Sequence, residues 1–480
     1  MFTHFVRSIS HVLIKGDLRM PRTKTAHFIG ICGIGMSGLA EVFHCYGYNV
    51  QGSDLRRSKV TGRLEAMGIA VKIGHFSDNI KGAELVVYSS CISKDNPEFL
   101  AAKDRGLPIL KRMEALNMLM QDKRIVAVTG AHGKTTTTSL IALLLIRSGI
   151  DPTVFIGADV HFLEGNAKVG QGDIVVTEAD ESDGSFILLN PLYSVATNID
   201  REHMDYYITM DNVLKAYTRF ISNTRDEGCV FVCAEDKNLR AIAQASGKRI
   251  LRYGISEDAD IRAQNIELMG FTGSQFDVTF RNKGLGRIRL SIPGSHNVVN
   301  SLAAIGVAME LGLDFNFIKD VITEFKGADR RFGVTRLGSD VLLIDDYAHH
   351  PTEIQATLKT MENCGRRIVA VFQPHRFTRT RDLREQFGSC FSLVDHLVIT
   401  DIYSADEKPI EGVSAKDIYE IAKRRGHKNA HFVPKNDIIK YLTDAVRPGD
   451  AVFVLGAGDI GELPAKIVKA LEEVTTKQTT

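Results

Sequence analysis

A chain of 480 residues is too long for one compact core, and at roughly 150 residues per domain it asks for about three. Its 44% apolar and 24% charged composition excludes a disordered chain, which would bury too little apolar surface to offset the entropy of ordering. A formal net charge of +1 gives no whole-molecule field that would draw it onto nucleic acid or an anionic membrane, so any anion must be held by a local site.

The seven cysteines are scattered, with no CxxC pair or zinc spacing, and read as reduced cytosolic thiols. The apolar run Ile141–Ile146 falls far short of the ~20 residues that cross a bilayer, so a cytoplasmic chain without membrane insertion is expected. Residues 1–24 carry Arg7, Lys15, Arg19, Arg22 and Lys24 against Asp17 and read as a loose extension.

The first block, 25–121, opens on a strand at His27–Ile31, passes a glycine loop into a helix from about Met36 to Tyr46, and returns in a strand at Asn49–Gly52. Apolar runs follow at Glu84–Ser89 and Pro108–Leu110. Gly33-Ile34-Gly35-Met36-Ser37-Gly38 fits GxGxxG, with Asp54 about 20 residues on, and such a loop holds a pyrophosphate at a helix N-terminus. By itself that pattern reads as NAD binding and an oxidoreductase, yet UDP carries a pyrophosphate too.

The second block, 122–330, starts with a strand at Arg124–Val128 and the loop Gly130-Ala131-His132-Gly133-Lys134-Thr135-Thr136, then a long apolar helix, Thr135–Arg147. This is a shortened phosphate loop, since Val128 stands where the longer pattern wants glycine. Lys134 would reach the β- and γ-phosphates of ATP and Thr135 would meet Mg²⁺. Strands at Asp173–Thr177 and Tyr193–Thr197 each run into acids: Glu178, Asp180, Glu181 and Asp183 after the first, Asp200, Glu202, His203 and Asp205 after the second. Parallel sheets gather ligands at such carboxyl ends, and magnesium takes oxygen donors. A helix patterned on Asn297, Asn300, Ala303, Ala304 and Ala308 ends near Gly312.

The third block, 331–480, alternates strand and helix: Val341–Asp345, Pro351–Glu362, Arg367–Phe372, Arg379–Leu393, His396–Thr400, Ser414–Arg425, Asn436–Ala445 and Ala451–Leu455. That order predicts a parallel sheet covered on both faces. The expected fold is therefore α/β in three domains: a Rossmann-like first, a central one of phosphate-loop ATPase type, and a Rossmann-like last with a parallel-rich sheet.

From about His27 onward the chain resembles the Mur ligases. The motifs that carry the resemblance stand in order: Gly30–Ala40, Gly130–Thr138, Glu178–Asp183, Asn198–Asp205, Gly294-Ser295-His296-Asn297 with Asn300, Arg330-Arg331-Phe332, Asp345–Pro351 and Phe372–Thr380. The resemblance implies that the first domain binds the UDP-sugar, through Gly33, Gly35, Met36, Ser37, Asp54, Ser89 and Ser90. It implies ATP at Gly130–Thr136 with His296, Asn297, Asn300, Arg331 and Asp346, and magnesium at Thr135, Glu178 and His203. Tyr347, His375, Arg376 and Arg379 would take the amino acid, and Lys134, Glu178, His203, Arg331 and His349 the chemistry.

Arg376 and Arg379 after His375 resemble the alanine-adding members, which implies UDP-N-acetylmuramate and L-alanine as small-molecule substrates. The alternative is a murein peptide ligase that adds a recycled tripeptide to the same sugar nucleotide. Ala131, Gly333 and Ala348 depart from the residues usual in the family, and Lys215 reads as an ordinary lysine.

Overall fold

The computed structural model describes residues 24–478 except Ser90, Ser339, Asn363 and Asp406. The expected sugar contact Ser90 and nearly all of the amino-terminal extension lie outside the described residues. The chain divides into two compact units, one reaching Gln121 and including Ala167–Val169, the other holding the rest.

In the first unit β1 (Thr25–Ile29), β2 (Asn49–Asp54), β3 (Ala70–Ile73), β4 (Leu85–Tyr88) and β5 (Ile109–Lys111) form a parallel sheet in the order β3-β2-β1-β4-β5. Strand order reverses between β1 and β4, where such sheets open a crevice at their carboxyl ends. The β1 strand begins two residues before the expected position and stops at Ile29, because Gly30 turns the chain at φ +76°. Helix α1 (Ile34–Cys45) follows that turn. Helices α2 (Lys59–Ala66), α3 (Pro97–Asp104) and α4 (Arg112–Leu119) complete the unit; Asn96 caps α3 by accepting from the Glu98 and Phe99 N–H groups, with Pro97 in its first turn.

The second unit holds two sheets. Its ten-stranded sheet consists of β6 (Arg124–Thr129), β7 (Thr153–Val160), β8 (Gly165–Lys168), β9 (Ile174–Glu178), β10 (Tyr193–Ala196), β11 (Cys229–Cys233), β12 (Ile250–Gly254), β13 (Ile261–Leu268), β14 (Ser274–Phe280) and β15 (Lys283–Leu290). The order is β15-β14-β13-β12-β11-β10-β6-β9-β7-β8. The strand β6 therefore pairs with β9 on one side and β10 on the other, both parallel. That pairing sets the two acid-bearing strand ends on either side of the phosphate loop.

Helix α5 (Lys134–Arg147) is buried on every side from Thr135 to Leu145, which explains its lack of a polar face. Next come α6 (Met204–Tyr207), α7 (Met210–Ser222), α8 (Lys237–Ala245), α9 (Ser295–Glu310) and α10 (Phe315–Glu324). The run β13–β14–β15 is antiparallel and was not picked out from the sequence. Its strands carry mostly polar residues on one exposed face, and the signal lies in the turn: Arg281 and Asn282 both take positive φ between Phe280 and Lys283, as a two-residue hairpin requires.

The last sheet has β16 (Gly333–Leu337), β17 (Val341–Asp346), β18 (Ile368–Phe372), β19 (His396–Ile399), β20 (Ala430–Phe432) and β21 (Ala451–Leu455) in the order β16-β17-β21-β18-β19-β20. Alternate strand residues feed two separate cores. Leu342, Ile344, Ala370, Phe372 and Phe453 pack on one face, and Leu343, Val369, Val371, Val452 and Val454 on the other. Helices α11 (Pro351–Lys359), α12 (Phe377–Ser389), α13 (Ala415–Arg424), α14 (Ile438–Ala445) and α15 (Leu463–Gln478) accompany it. The sheet is parallel except that β16 runs antiparallel on β17, in keeping with the expected parallel-rich sheet. Helix α12 starts two residues earlier than expected because Arg376 takes φ +70° as its N-cap, and this puts Arg379 in the first turn.

Candidate active site

In the first unit the glycine loop is held from beneath. The Gly30 and Ile31 N–H groups donate to Ser53 O at 2.9 and 3.0 Å, and Cys32 N–H donates to Asp54 Oδ2 at 2.9 Å. Asp54 Oδ1 accepts from Leu55 N–H at 2.8 Å, so both carboxylate oxygens accept from backbone. Asp54, expected from the sequence at the UDP-sugar, holds the loop through these two bonds. Met36 and Ser37 are buried, their N–H groups bonded to Gly33 O, while Gly33 and Gly35 lie at the start of α1. Ser89, at the end of β4, lies beside Gly30: a Cβ built on that glycine would sit 3.4 Å from the serine's own.

A fully buried carboxylate ties these pieces together. Glu98 accepts from Ser53 Oγ at 2.6 Å, His27 Nε2 at 2.9 Å, Asn79 Nδ2 at 2.6 Å and Phe76 N–H at 3.2 Å. Burial alone would raise its pKa, but these donors hold it down to about 2.

In the second unit the phosphate loop is clamped by the end of β10. Asn198 accepts from His132 N–H and donates to His132 O, both at 2.9 Å, and Thr197 Oγ1 donates to the same carbonyl at 2.6 Å. Gly133 has φ +83°, and a Cβ there would lie 2.5 Å from Asn300 Oδ1, so the position requires glycine. Lys134 Nζ donates to Gly130 O at 2.5 Å, to Ala131 O at 3.4 Å and to Glu181 Oε1 at 2.9 Å. Burial would lower the lysine's pKa, yet Glu181, Asp180 and Glu178 outweigh it and keep the ammonium charged.

Glu178 Oε1 accepts from Gly157 N–H at 2.7 Å, and burial pushes its pKa up against that bond, Lys134 and a hydrogen bond from Thr135. His203, at φ +54°, opens α6 with Nε2 3.5 Å from Glu181 Oε1; ligand atoms of Asp180, Glu181 and His203 all lie within 4.8 Å of one another. The expected metal residues are thus divided: Thr135 and Glu178 contact each other, and His203 groups with Asp180 and Glu181. Tyr207, not singled out from the sequence, donates to Glu181 O at 2.6 Å and fixes that acid.

A cavity of about 320 Å³ gathers His132, Gly133, Thr135 and Thr136 from the phosphate loop, His296, Asn297 and Asn300 from α9, and Arg331 and Asp346 from the last block. These are nine of the twelve residues expected to line a nucleotide site, contributed by three separated stretches of sequence. Asp346 is buried, and its carboxylate accepts from Phe332 N–H at 3.0 Å and Ala348 N–H at 2.7 Å; burial, offset by Arg331, moves it up to about 6. The Arg331 guanidinium stands over the Tyr347 ring at 5.1 Å.

Glu353, in the first turn of α11, was not picked out from the sequence, although it follows His350-Pro351 in capping position. It faces His132 Nδ1 at 3.3 Å, Arg331 at 3.7 Å and His349 at 3.3 Å. On its other side His132 Nε2 is 3.0 Å from Asp200 Oδ2. Burial would lower the pKa of His132, but hydrogen bonds to Asp200 and Glu353 lift it to about 9.

Toward the ends of β17 and β18 runs a row of rings, with Tyr347 to His349 at 5.3 Å, His349 to His375 at 5.7 Å and His375 to Tyr403 at 5.6 Å. Arg379 donates to Glu202 Oε2 at 3.0 Å and lies 3.1 Å from His375 Nδ1. Arg376 lies 3.9 Å from Asp205. Burial, with Arg379 nearby, drops His349 to about 4 and, with His349 and Arg379, His375 to about 2, so both rings are neutral at pH 7. The site thus sets donors for a triphosphate, carboxylates for a cation and a guanidinium pair around a common region. No helix among the described residues is long and apolar enough to cross a membrane.

Family models described as Mur ligase family, catalytic domain, as Mur ligase middle domain and as Mur ligase, glutamate ligase domain match residues 25–124, 128–308 and 330–458. The chain is 46% identical over 446 residues, 92% of this chain and 95% of the relative, to a UDP-N-acetylmuramate--L-alanine ligase of Syntrophobacter fumaroxidans. It is 44% identical, over 93% and 98% of the two chains, to a protein of the same name from Trichlorobacter lovleyi. A crystal structure of a UDP-N-acetylmuramate-alanine ligase from Thermotoga maritima is similar with TM-score 0.80 and 30% identity, covering 94% of this chain and 99% of that one. A murein peptide ligase from Psychrobacter arcticus shares the fold at TM-score 0.69 and 24% identity, over 94% and 99%. Matches this extensive, in the same order along the chain, establish that the protein belongs to the Mur ligase family.

Proposed function

We propose that this chain is a cytoplasmic ATP-dependent ligase that joins L-alanine to the lactyl carboxylate of UDP-N-acetylmuramate in peptidoglycan synthesis, releasing ADP and phosphate. The observation that carries the reading is the cavity in which the phosphate loop meets α9, Arg331 and Asp346; the names borne by relatives more than 40% identical supply the substrates. Residues 25–121 hold the sugar nucleotide, 122–330 the ATP and 331–480 the amino acid.

A carboxylate resists an amine because it is anionic and lacks a leaving group. Phosphorylation by the γ-phosphoryl of ATP removes both obstacles, and the amine then displaces phosphate from the acyl phosphate. Lys134 releases the Gly130 carbonyl and follows the transferring group, with the loop N–H groups fixing the β-phosphate. The donors present suit magnesium: buried Glu181 Oε2 has no hydrogen-bond partner among the described residues and lies in the Asp180–Glu181–His203 group, close to Thr135 and Glu178. These residues would hold the ion, which supplies charge neutralisation on the phosphoryl oxygens.

Arg379, steadied by Glu202, binds the alanine carboxylate as a planar fork, with Arg376 beside it. His349 and His375 are neutral at pH 7, the form that accepts the amine proton, and the neighbouring Tyr347 packs on the first of them. The test is an ADP-release assay that varies only the acceptor. Release with UDP-N-acetylmuramate plus L-alanine supports the reading, release with tripeptide but not alanine transfers it to the peptide-adding branch, and no ATP use with either overturns it.

A further inference from the structure

Two imidazoles and a carboxylate converge where the phosphate loop meets the start of α11, apart from the Asp180–Glu181–His203 group. His132 Nε2 is 3.0 Å and His350 Nδ1 3.7 Å from the same oxygen, Asp200 Oδ2, and the three ligand atoms lie within 4.8 Å of one another. Tetrahedral coordination with bonds of about 2.0–2.1 Å sets ligand atoms about 3.3 Å apart, so the present spacing needs shifts of only a few tenths of an ångström on those two edges. We propose that His132, Asp200 and His350 form a binding site for a zinc-class divalent transition-metal ion.

The donor chemistry favours such an ion over magnesium, which prefers oxygen alone. The surroundings have the outer shell that metal-binding imidazoles use: Glu353 Oε1 stands 3.3 Å behind His132 Nδ1, and Glu202 Oε1 stands 3.8 Å behind His350 Nε2. That Nε2 is buried with no hydrogen-bond partner among the described residues, and His350 Nδ1, which caps α11, accepts from Thr352 N–H over a long 3.4 Å that an ion can replace. Thr352 Oγ1 also orients Asp200, donating to Oδ2 at 3.1 Å. Three carboxylates, Asp200, Glu202 and Glu353, face the two imidazoles, and Asp200 is the one of the three not also facing Arg331 or Arg379. His132 and Asp200 line the nucleotide cavity, which leaves a fourth position for water. Because His350 comes from the last block and the other two from the middle, a bound ion staples those parts of the second unit.

The probe is Co²⁺ added to the full chain with excess Mg²⁺, read by visible absorption. Intense bands of four-coordinate, nitrogen-ligated cobalt at one ion per chain are expected, discharged by an equivalent of Zn²⁺. The bands should vanish in His350→Gln and Asp200→Asn and persist in His203→Gln. Zn²⁺ should also raise the melting temperature of the unsubstituted chain and leave that of His350→Gln unmoved. If His350→Gln fails to fold, Asp200→Asn carries the same expectation. Absence of such bands, their survival in a folded His350→Gln or Asp200→Asn chain, or their loss in His203→Gln overturns the site.

Discussion

Replacing Glu98 with glutamine tests how the glycine loop of the first unit is held. The groups that contact this carboxylate can each donate to it: Ser53 Oγ, His27 Nε2, Asn79 Nδ2, Phe76 N–H and, at 3.4 Å, His75 Nδ1. An amide keeps one accepting oxygen and turns its NH₂ against those donors, so the buried network loses charge and partners together. The carboxyl stands near 2 in place of 4.5, a difference that at 1.36 kcal/mol per unit is worth ~3 kcal/mol. Hydrogen exchange on β1 and β2 should therefore show about a hundredfold loss of protection in Glu98→Gln. Because the folded pKa is depressed, the contribution is complete above pH 4.5 and fades only as pH falls toward 2, so the difference between the two chains should hold at pH 7 and narrow below 4.5. Ser53 O and Asp54 fix Gly30–Cys32, so KM for the sugar nucleotide should rise while kcat stays level. Protection within threefold of the unsubstituted chain at pH 7 would refute the argument.

Lys134→Ala should lower kcat by ~10²- to 10³-fold, the loss typical of one preorganised donor, with an unchanged circular dichroism spectrum; near-normal ADP release would contradict its assignment. Arg379→Lys keeps the charge and loses the fork, and should raise KM for alanine ~10-fold or more with KM for ATP unmoved in steady-state kinetics. Glu181→Gln should weaken Mn²⁺ binding, followed by electron paramagnetic resonance, by ~10-fold or more, and Tyr207→Phe by less, since the tyrosine acts only through the glutamate's backbone.

Much of this architecture is legible from local chemistry. The phosphate loop announces itself because a buried strand, glycines, Lys134 and Thr135 are contiguous, and the regular alternation after Val341 yields strand ends within a residue or two of those observed. What the linear pattern leaves open is who sits beside whom. That β9 and β10 flank β6 follows from sheet order, which no local period encodes, so Asp180, Glu181, Glu202 and Tyr207 did not stand out from their acidic or aromatic neighbours. Asp54 shows a second role that spacing does not reveal: the tight turn at Gly30 leaves Cys32 N–H in need of an acceptor, and the carboxylate supplies it. Glu353 gains its significance only when folding brings His132 and Arg331 to it.

The central claim is that the acid is made reactive by phosphorylation within the cavity shared by the phosphate loop and Arg331. UDP-N-acetylmuramate carrying ¹⁸O in both lactyl carboxylate oxygens, incubated with ATP, L-alanine and Mg²⁺, should yield inorganic phosphate with one ¹⁸O atom for each amide formed. Amide formation accompanied by unlabelled phosphate would contradict the account.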